Sequence, residues 1–262
     1  MNLHLARLMR RFGRRPSPAR PSKPVANRTD LIAVQSALAR ETGGIMDIKH
    51  PDAAFTPVET RLISKPRGTI FAFSGLSGVM GMPVKNFADS LKNFRKDLVF
   101  IKDFHQDWFQ SGLTGVADNR TEMANFLHTN FGGCPRPWLF IGSSAGGFTA
   151  MHMGLTLGAE RIVVFSPQTH IDAATFEHYR HESPDAAGFD ASDPDNDLLN
   201  HPELGSPDSK VSFYYSDLSS YDHAQAARLF GTSNIAFHPV DTTWHNSASA
   251  LKKAGMLKAT FK

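Results

Sequence analysis

Three short runs constrain this chain more than any other feature: LVFI at 98–101, WLFI at 138–141 and IVVF at 162–165. Each is apolar on successive residues rather than on alternate ones, the pattern of a strand buried on both faces, and such strands belong to parallel sheets covered by helices. The last of these runs sits in an expected strand Arg161–Phe165, and four further runs fit the same role: Arg61–Ser64, Thr69–Phe73, Val211–Tyr215 and Ile235–Val240. Between them lie helical periodicities. Phe87, Leu91 and Phe94 share one face, as do Met123, Phe126 and Leu127, then Phe148, Met151 and Leu155, and finally Ala248, Leu251 and Leu257. Strand and helix alternating over some two hundred residues predict one doubly wound α/β domain, here residues 30–262, with a mostly parallel sheet.

Charge marks off what precedes that domain. Residues 1–29 hold eight basic groups and no acid, which leaves 20 basic against 25 acidic groups for the rest. The net charge of +3 therefore belongs to the tail, and the domain presents no overall basic balance for nucleic acid. Leu5, Leu8, Met9 and Phe12 form an apolar stripe if residues 1–15 are helical, and RRPSPARPSKP reads as an extended linker. Such a tail suits contact with an anionic membrane surface, a targeting peptide, or a flexible solubilising arm. No apolar run has the length of a membrane-spanning helix. The single cysteine, Cys134, precludes an intrachain disulfide framework and fits a reducing compartment, so the expected location is cytoplasmic, with peripheral membrane contact through the tail.

The segment between Pro167 and Lys210 breaks the rhythm. It is acidic and rich in turn formers, and too long for an ordinary connection. Asp193, Asp195 and Asp197 resemble the start of a calcium loop, but Leu198 and Leu204 stand where that loop needs Gly and a bidentate Glu. The expectation is a solvated acidic loop without a metal.

The chemistry centres on WLFIGSSAGGFTA, residues 138–150. One register fits G-x-S-x-G: Gly142, Ser143, Ser144, Ala145, Gly146. A serine at the apex of a sharp strand-to-helix turn has an exposed hydroxyl, and its neighbours two residues away must be small because strand and helix pass closely. Ser144 is the expected nucleophile. A serine hydroxyl needs a base, and His245 follows the strand Ile235–Val240 and precedes the last helix. The residue that orients the imidazole is either Asp222, the preferred choice, or Asp217, both after the strand VSFYY; Asp222 also fits a helix N-cap. The Ala145 N–H and that of Leu76, in the loop SGLSGVMGM, are the expected oxyanion donors, and Gly75 there allows close approach of substrate. That loop lacks a phosphate-binding signature, and no cofactor is expected. Trp108 and Phe109, in KDFHQDWFQSGL, read either as a platform for a sugar or aryl group or as anchors of their own loop.

Taken in order, the Gly-rich SGLSG loop, the GSSAGGFTA elbow, the acid and His245 resemble the α/β-hydrolase superfamily of serine esterases and acyl hydrolases, over roughly residues 58–258. The resemblance implies a sheet of about eight strands, the first antiparallel, with the 167–210 insertion standing in place of a full cap. It departs from the family pattern in having GLSG for the HGGG-type loop and no Gly-x-x-Asp at the acid. The activity implied is hydrolysis of a small-molecule or glycan-linked carboxylic ester or thioester. Acyl transfer by the same triad and a catalytically silent binding protein are the alternatives.

Overall fold

The computed structural model describes residues 57–82, 84–179, 181 and 188–261. The basic tail at 1–29 and the domain start at residue 30 lie outside the described residues.

Seven strands form one sheet in the order β1-β3-β2-β4-β5-β6-β7. They are β1 Val58–Arg61, β2 Thr69–Phe73, β3 Asp97–Ile101, β4 Trp138–Ser143, β5 Arg161–Phe165, β6 Lys210–Ser216 and β7 Ile235–Val240. β1 runs antiparallel to β3, and every other pairing is parallel. The described sheet thus has seven strands rather than about eight, and its first strand lies at 58–61 instead of 61–64. That strand is an edge strand with an exposed end, so it lacks the unbroken apolar run that locates the inner ones.

The helices are α1 Val84–Leu91, α2 Arg120–Phe131, α3 Ala145–Thr156, α4 Ala173–Tyr179, α5 Ser220–Ala227 and α6 Ser247–Lys253. Alternation along each strand sorts them into two layers. Phe71, Phe73, Phe140, Val164 and Phe213 point to the face carrying Met123 and Leu127 of α2, Phe148 and Met151 of α3, and Ala226 of α5. Ile70, Ala72, Leu139, Ile141 and Val163 point to the opposite face, against Phe87 and Leu91 of α1, Leu251 of α6, and Phe261. The inner strands are therefore apolar on both faces because both faces are covered. Phe94 completes its expected face from a 3-10 turn, Lys92–Phe94, that extends α1. No helix among the described residues is long and apolar enough to cross a membrane.

The described part of the insertion after β5 is folded rather than a solvated loop. Asp193 and Asp197 cap two short 3-10 turns, accepting from the N–H groups of Asp195 and Leu199. Arg228 grips both oxygens of Asp197 at 2.7 Å, and Leu198 is fully buried. The side chains of Asp193 and Asp197 are thus engaged by local turns, and that of Asp197 by arginine pairing as well. Among the described residues, no group of three or more His, Cys, Asp or Glu side chains is placed to hold a metal ion.

Candidate active site

The parallel strands converge their carboxyl ends on one edge, the place where open α/β sheets bind ligands. β4 ends there at Ser143 and α3 begins at Ala145, leaving Ser144 alone in the bend with φ 55° and ψ −125°. This backbone conformation is sparsely populated and costs on the order of 1–3 kcal/mol, so the surroundings must impose it. They do so through close packing. A Cβ on Gly142 would lie 1.9 Å from the carbonyl oxygen of Gly146, and one on Gly146 would lie 2.3 Å from that of Phe73. The Ser144 N–H donates to the Phe165 carbonyl at 2.9 Å, which pins the bend to β5. The flanking residues 138–143 and 145–155 of β4 and α3 are almost all buried, while Ser144 stays partly accessible.

His245 reaches this hydroxyl from the loop after β7. Its Nε2 lies 2.8 Å from Ser144 Oγ, and its Nδ1 lies 2.6 Å from Asp222 Oδ1. Asp222 stands in the first turn of α5 with its side chain fully buried, whereas His245 remains one-third exposed. The N-cap of α5 is Ser219, whose hydroxyl accepts from the Asp222 N–H at 3.3 Å, so Asp222 is released from the capping role that the sequence also allowed. Asp217 is turned away and pairs with the exposed ring of His223 at 3.1 Å. His238 lies on the edge strand β7, stacked on Tyr214, with partial burial holding its pKa below the usual imidazole range.

Further contacts hold the His245 loop in place. Ser216 Oγ donates to the Trp244 carbonyl at 2.5 Å, and Ser166 Oγ donates to Ser247 Oγ at 2.9 Å. Asn246 caps α6 by accepting from the Ser249 N–H, and its Nδ2 donates to the Gly81 carbonyl at 2.6 Å. That bond ties the His245 loop to the Gly-rich loop after β2. Gly81 has φ +66°, and a Cβ there would meet Asn246 Oδ1 at 2.8 Å, so only glycine fits the crossing. In the same loop the Gly75 N–H bonds to the Val79 carbonyl at 2.8 Å, and the Leu76 carbonyl accepts from Gln106 Nε2 at 2.8 Å. Leu76 is buried, and a Cβ on Gly75 would lie 3.3 Å from the Ser143 carbonyl, so this loop rests on the elbow. Ala145 occupies the first position of α3, where a helix leaves its N–H groups without intrahelical partners.

Trp108 and Phe109 form no platform. Both are fully buried, and they adopt φ +56°. Asp103 holds their loop by accepting the N–H groups of Gln106, Asp107 and Phe109 at 2.9–3.1 Å. Burial, reinforced by the neighbouring Asp107, pushes Asp103 up to about 7, against those three donors. The Trp108 ring in turn packs against Phe176, Tyr179 and Phe189 of the insertion. Tyr179 also lies 5.8 Å from the His245 ring, centroid to centroid, so α4 supplies one wall beside the imidazole. Burial raises the Tyr179 phenol far above its usual value, which keeps it neutral. Two residues beside the site carry no motif of their own, Gln168 and Asn246. The one sequence signal they offer is position, just beyond a strand end and beside the expected base.

The arrangement can move a proton from Ser144 to His245 while a buried carboxylate orients and stabilises the imidazolium. No protein-family model and no curated protein sequence matches the chain. Solved structures do. The capsule O-acetyltransferase of Neisseria meningitidis serogroup A superposes with a TM-score of 0.55 at 15% identity, over 84% of this chain and 99% of the other. A carboxylesterase from Bacillus subtilis gives 0.50 at 17% identity, over 77% and 85%. A protein of unknown function from Staphylococcus aureus subsp. aureus Mu50 gives 0.53 at 12% identity, over 81% and 97%. With the mostly parallel sheet and its two helical layers, these similarities show that the chain has the α/β-hydrolase fold.

Proposed function

We propose that the protein is a serine-dependent ester hydrolase that works through an acyl-enzyme on Ser144. The observation that carries this reading is the continuous hydrogen-bonded line Ser144 Oγ, His245 Nε2, His245 Nδ1, Asp222 Oδ1, at 2.8 and 2.6 Å. Ser144 Oγ attacks the carbonyl of a carboxylic ester or thioester while His245 Nε2 takes its proton, and the carbonyl pair moves onto oxygen. The N–H groups of Ala145 and Leu76 receive that charge. His245 then returns the proton to the leaving alcohol or thiol. Water, activated by the same imidazole, releases the acid and restores Ser144.

An acyltransferase shares every step up to the acyl-enzyme and replaces water with a hydroxyl acceptor. The fold similarity to a capsule O-acetyltransferase favours keeping that reading, with a glycan hydroxyl as the acceptor class. Labelling of the wild type by a fluorophosphonate, set against Ser144→Ala, tests both. Labelling that depends on Ser144 is expected; its absence would leave a silent binding protein on this fold. Product analysis with added alcohols then separates hydrolysis from transfer.

A further inference from the structure

Gln168 lies beyond the end of β5, at the same sheet edge as the elbow, and is fully buried. Both ends of its amide are engaged. Nε2 donates to Ser144 Oγ at 3.2 Å, and Oε1 accepts from the indole Nε1 of Trp108 at 3.1 Å. A glutamine amide can ordinarily face either way, but an indole N–H is a donor only. Trp108 therefore demands the amide oxygen, which turns the amide nitrogen toward the serine.

Trp108 is itself held firmly. Its carbonyl accepts from Arg120 Nε and Nη2 at 3.3 and 3.2 Å and from Thr149 Oγ1 at 3.2 Å. Arg120 is buried and is bound in turn to Asn196 Oδ1 of the insertion at 2.9 Å. Left-handed φ values at Gln106, Trp108 and Phe109 within four residues show a loop bent to place this indole.

We propose that Gln168 is a further catalytic residue, whose amide N–H bonds the reacting oxygen of Ser144, and that Trp108 is the positioning residue that sets that amide. The role rests on the serine mechanism proposed above. A serine oxygen carries one hydrogen and two lone pairs. His245 accepts the hydrogen, Gln168 occupies one lone pair, and the other is left to form the bond to the carbonyl carbon. As the proton leaves for His245 Nε2, negative charge grows on Oγ, and the Gln168 N–H stabilises it. When water or an alcohol cleaves the acyl-enzyme, the C–Oγ bond breaks and its electron pair returns to Oγ. The proton on His245 Nε2 then restores the hydroxyl, and the same donor serves this second half.

The test measures the second-order rate of fluorophosphonate labelling in Gln168→Met, Trp108→Phe and the double variant, together with the Trp108 indole N–H resonance. Gln168→Met keeps the bulk and removes the donor, and is expected to slow labelling about ten- to a hundredfold. Trp108→Phe is expected to slow it less. The double variant should be no slower than Gln168→Met, because Trp108 acts through Gln168. The indole proton should shift upfield in Gln168→Met whether or not the protein turns over. Wild-type labelling by a folded Gln168→Met, an additive double variant or an unmoved indole proton would each overturn the role while leaving the serine reading intact. Absence of labelling in the wild type would overturn the serine reading and the role together. Should Gln168→Met fail to fold, Trp108→Phe carries the test, and a wild-type rate there is the overturning result.

Discussion

Asp222 and His245 stand 23 residues apart in the chain and 2.6 Å apart in space, joined from Oδ1 to Nδ1. The second oxygen, Oδ2, is buried with no hydrogen-bond partner among the described residues. The imidazole is thus the group that carboxylate is placed to serve. Replacing it with Asn removes the charge and allows the wrong tautomer, so Asp222→Asn should lower kcat/KM for ester hydrolysis by roughly 10²–10⁴. Asp217→Asn, which disturbs an exposed pair with His223, should stay within about threefold of wild type. Steady-state kinetics on both variants, with equal thermal melting as the control for folding, decides the assignment.

The Ser144 backbone stores strain that glycine does not feel. Ser144→Gly should abolish activity and yet raise stability by about 1 kcal/mol, a rise of about 2–4 °C in Tm for a domain of this size. Ser144→Ala keeps a Cβ at φ 55° and should show no such gain. Calorimetry of the two inactive proteins side by side measures the difference, and equal Tm values would mean the elbow is unstrained.

His152, in α3, is half-buried with its Nδ1 enclosed, and its pKa is held well below the ordinary value first by desolvation of the ring and then by the charges of Arg120 and His201. The unfolded chain binds a proton near pH 6.5 that the folded chain refuses. Stability from this residue is therefore full above about pH 6.5 and is lost as the pH falls below it. Asp103 acts in the opposite sense. Its raised pKa lets the folded state bind a proton between about pH 4 and 7, so its contribution declines as the pH rises through that window. Urea unfolding of His152→Phe at pH 7.5 and 5.5 should show a smaller loss on acidification than the wild type. An equal loss in both would remove His152 as the cause.

Much of this architecture is legible in the chain because it is written locally. The inner strands announce themselves through successive apolar residues, and β2, β5 and β7 fall at their expected limits. The elbow is legible too, since the glycines that permit it lie within two residues of Ser144. The acid was ambiguous for a definite reason. Asp217 and Asp222 are both near the end of β6, and only the phase of α5, capped by Ser219, turns Asp222 inward and leaves Asp217 to His223. Trp108 shows the limit of reading chemistry from residue type. An aromatic ring in a polar loop suits a surface platform as well as an anchor, and here Phe176, Tyr179 and Phe189 cover it.

The alternation of buried strands and helices, and the bend that leaves Ser144 partly accessible, are encoded locally, because each depends on neighbours within a few residues. Which carboxylate meets His245, where Trp108 goes and what touches Ser144 are decided by the tertiary structure alone. Those contacts join residues 23, 24, 60 and 101 positions apart. No local pattern encodes such pairings; they exist only once the sheet has brought the ends of β2, β4, β5, β6 and β7 to one edge.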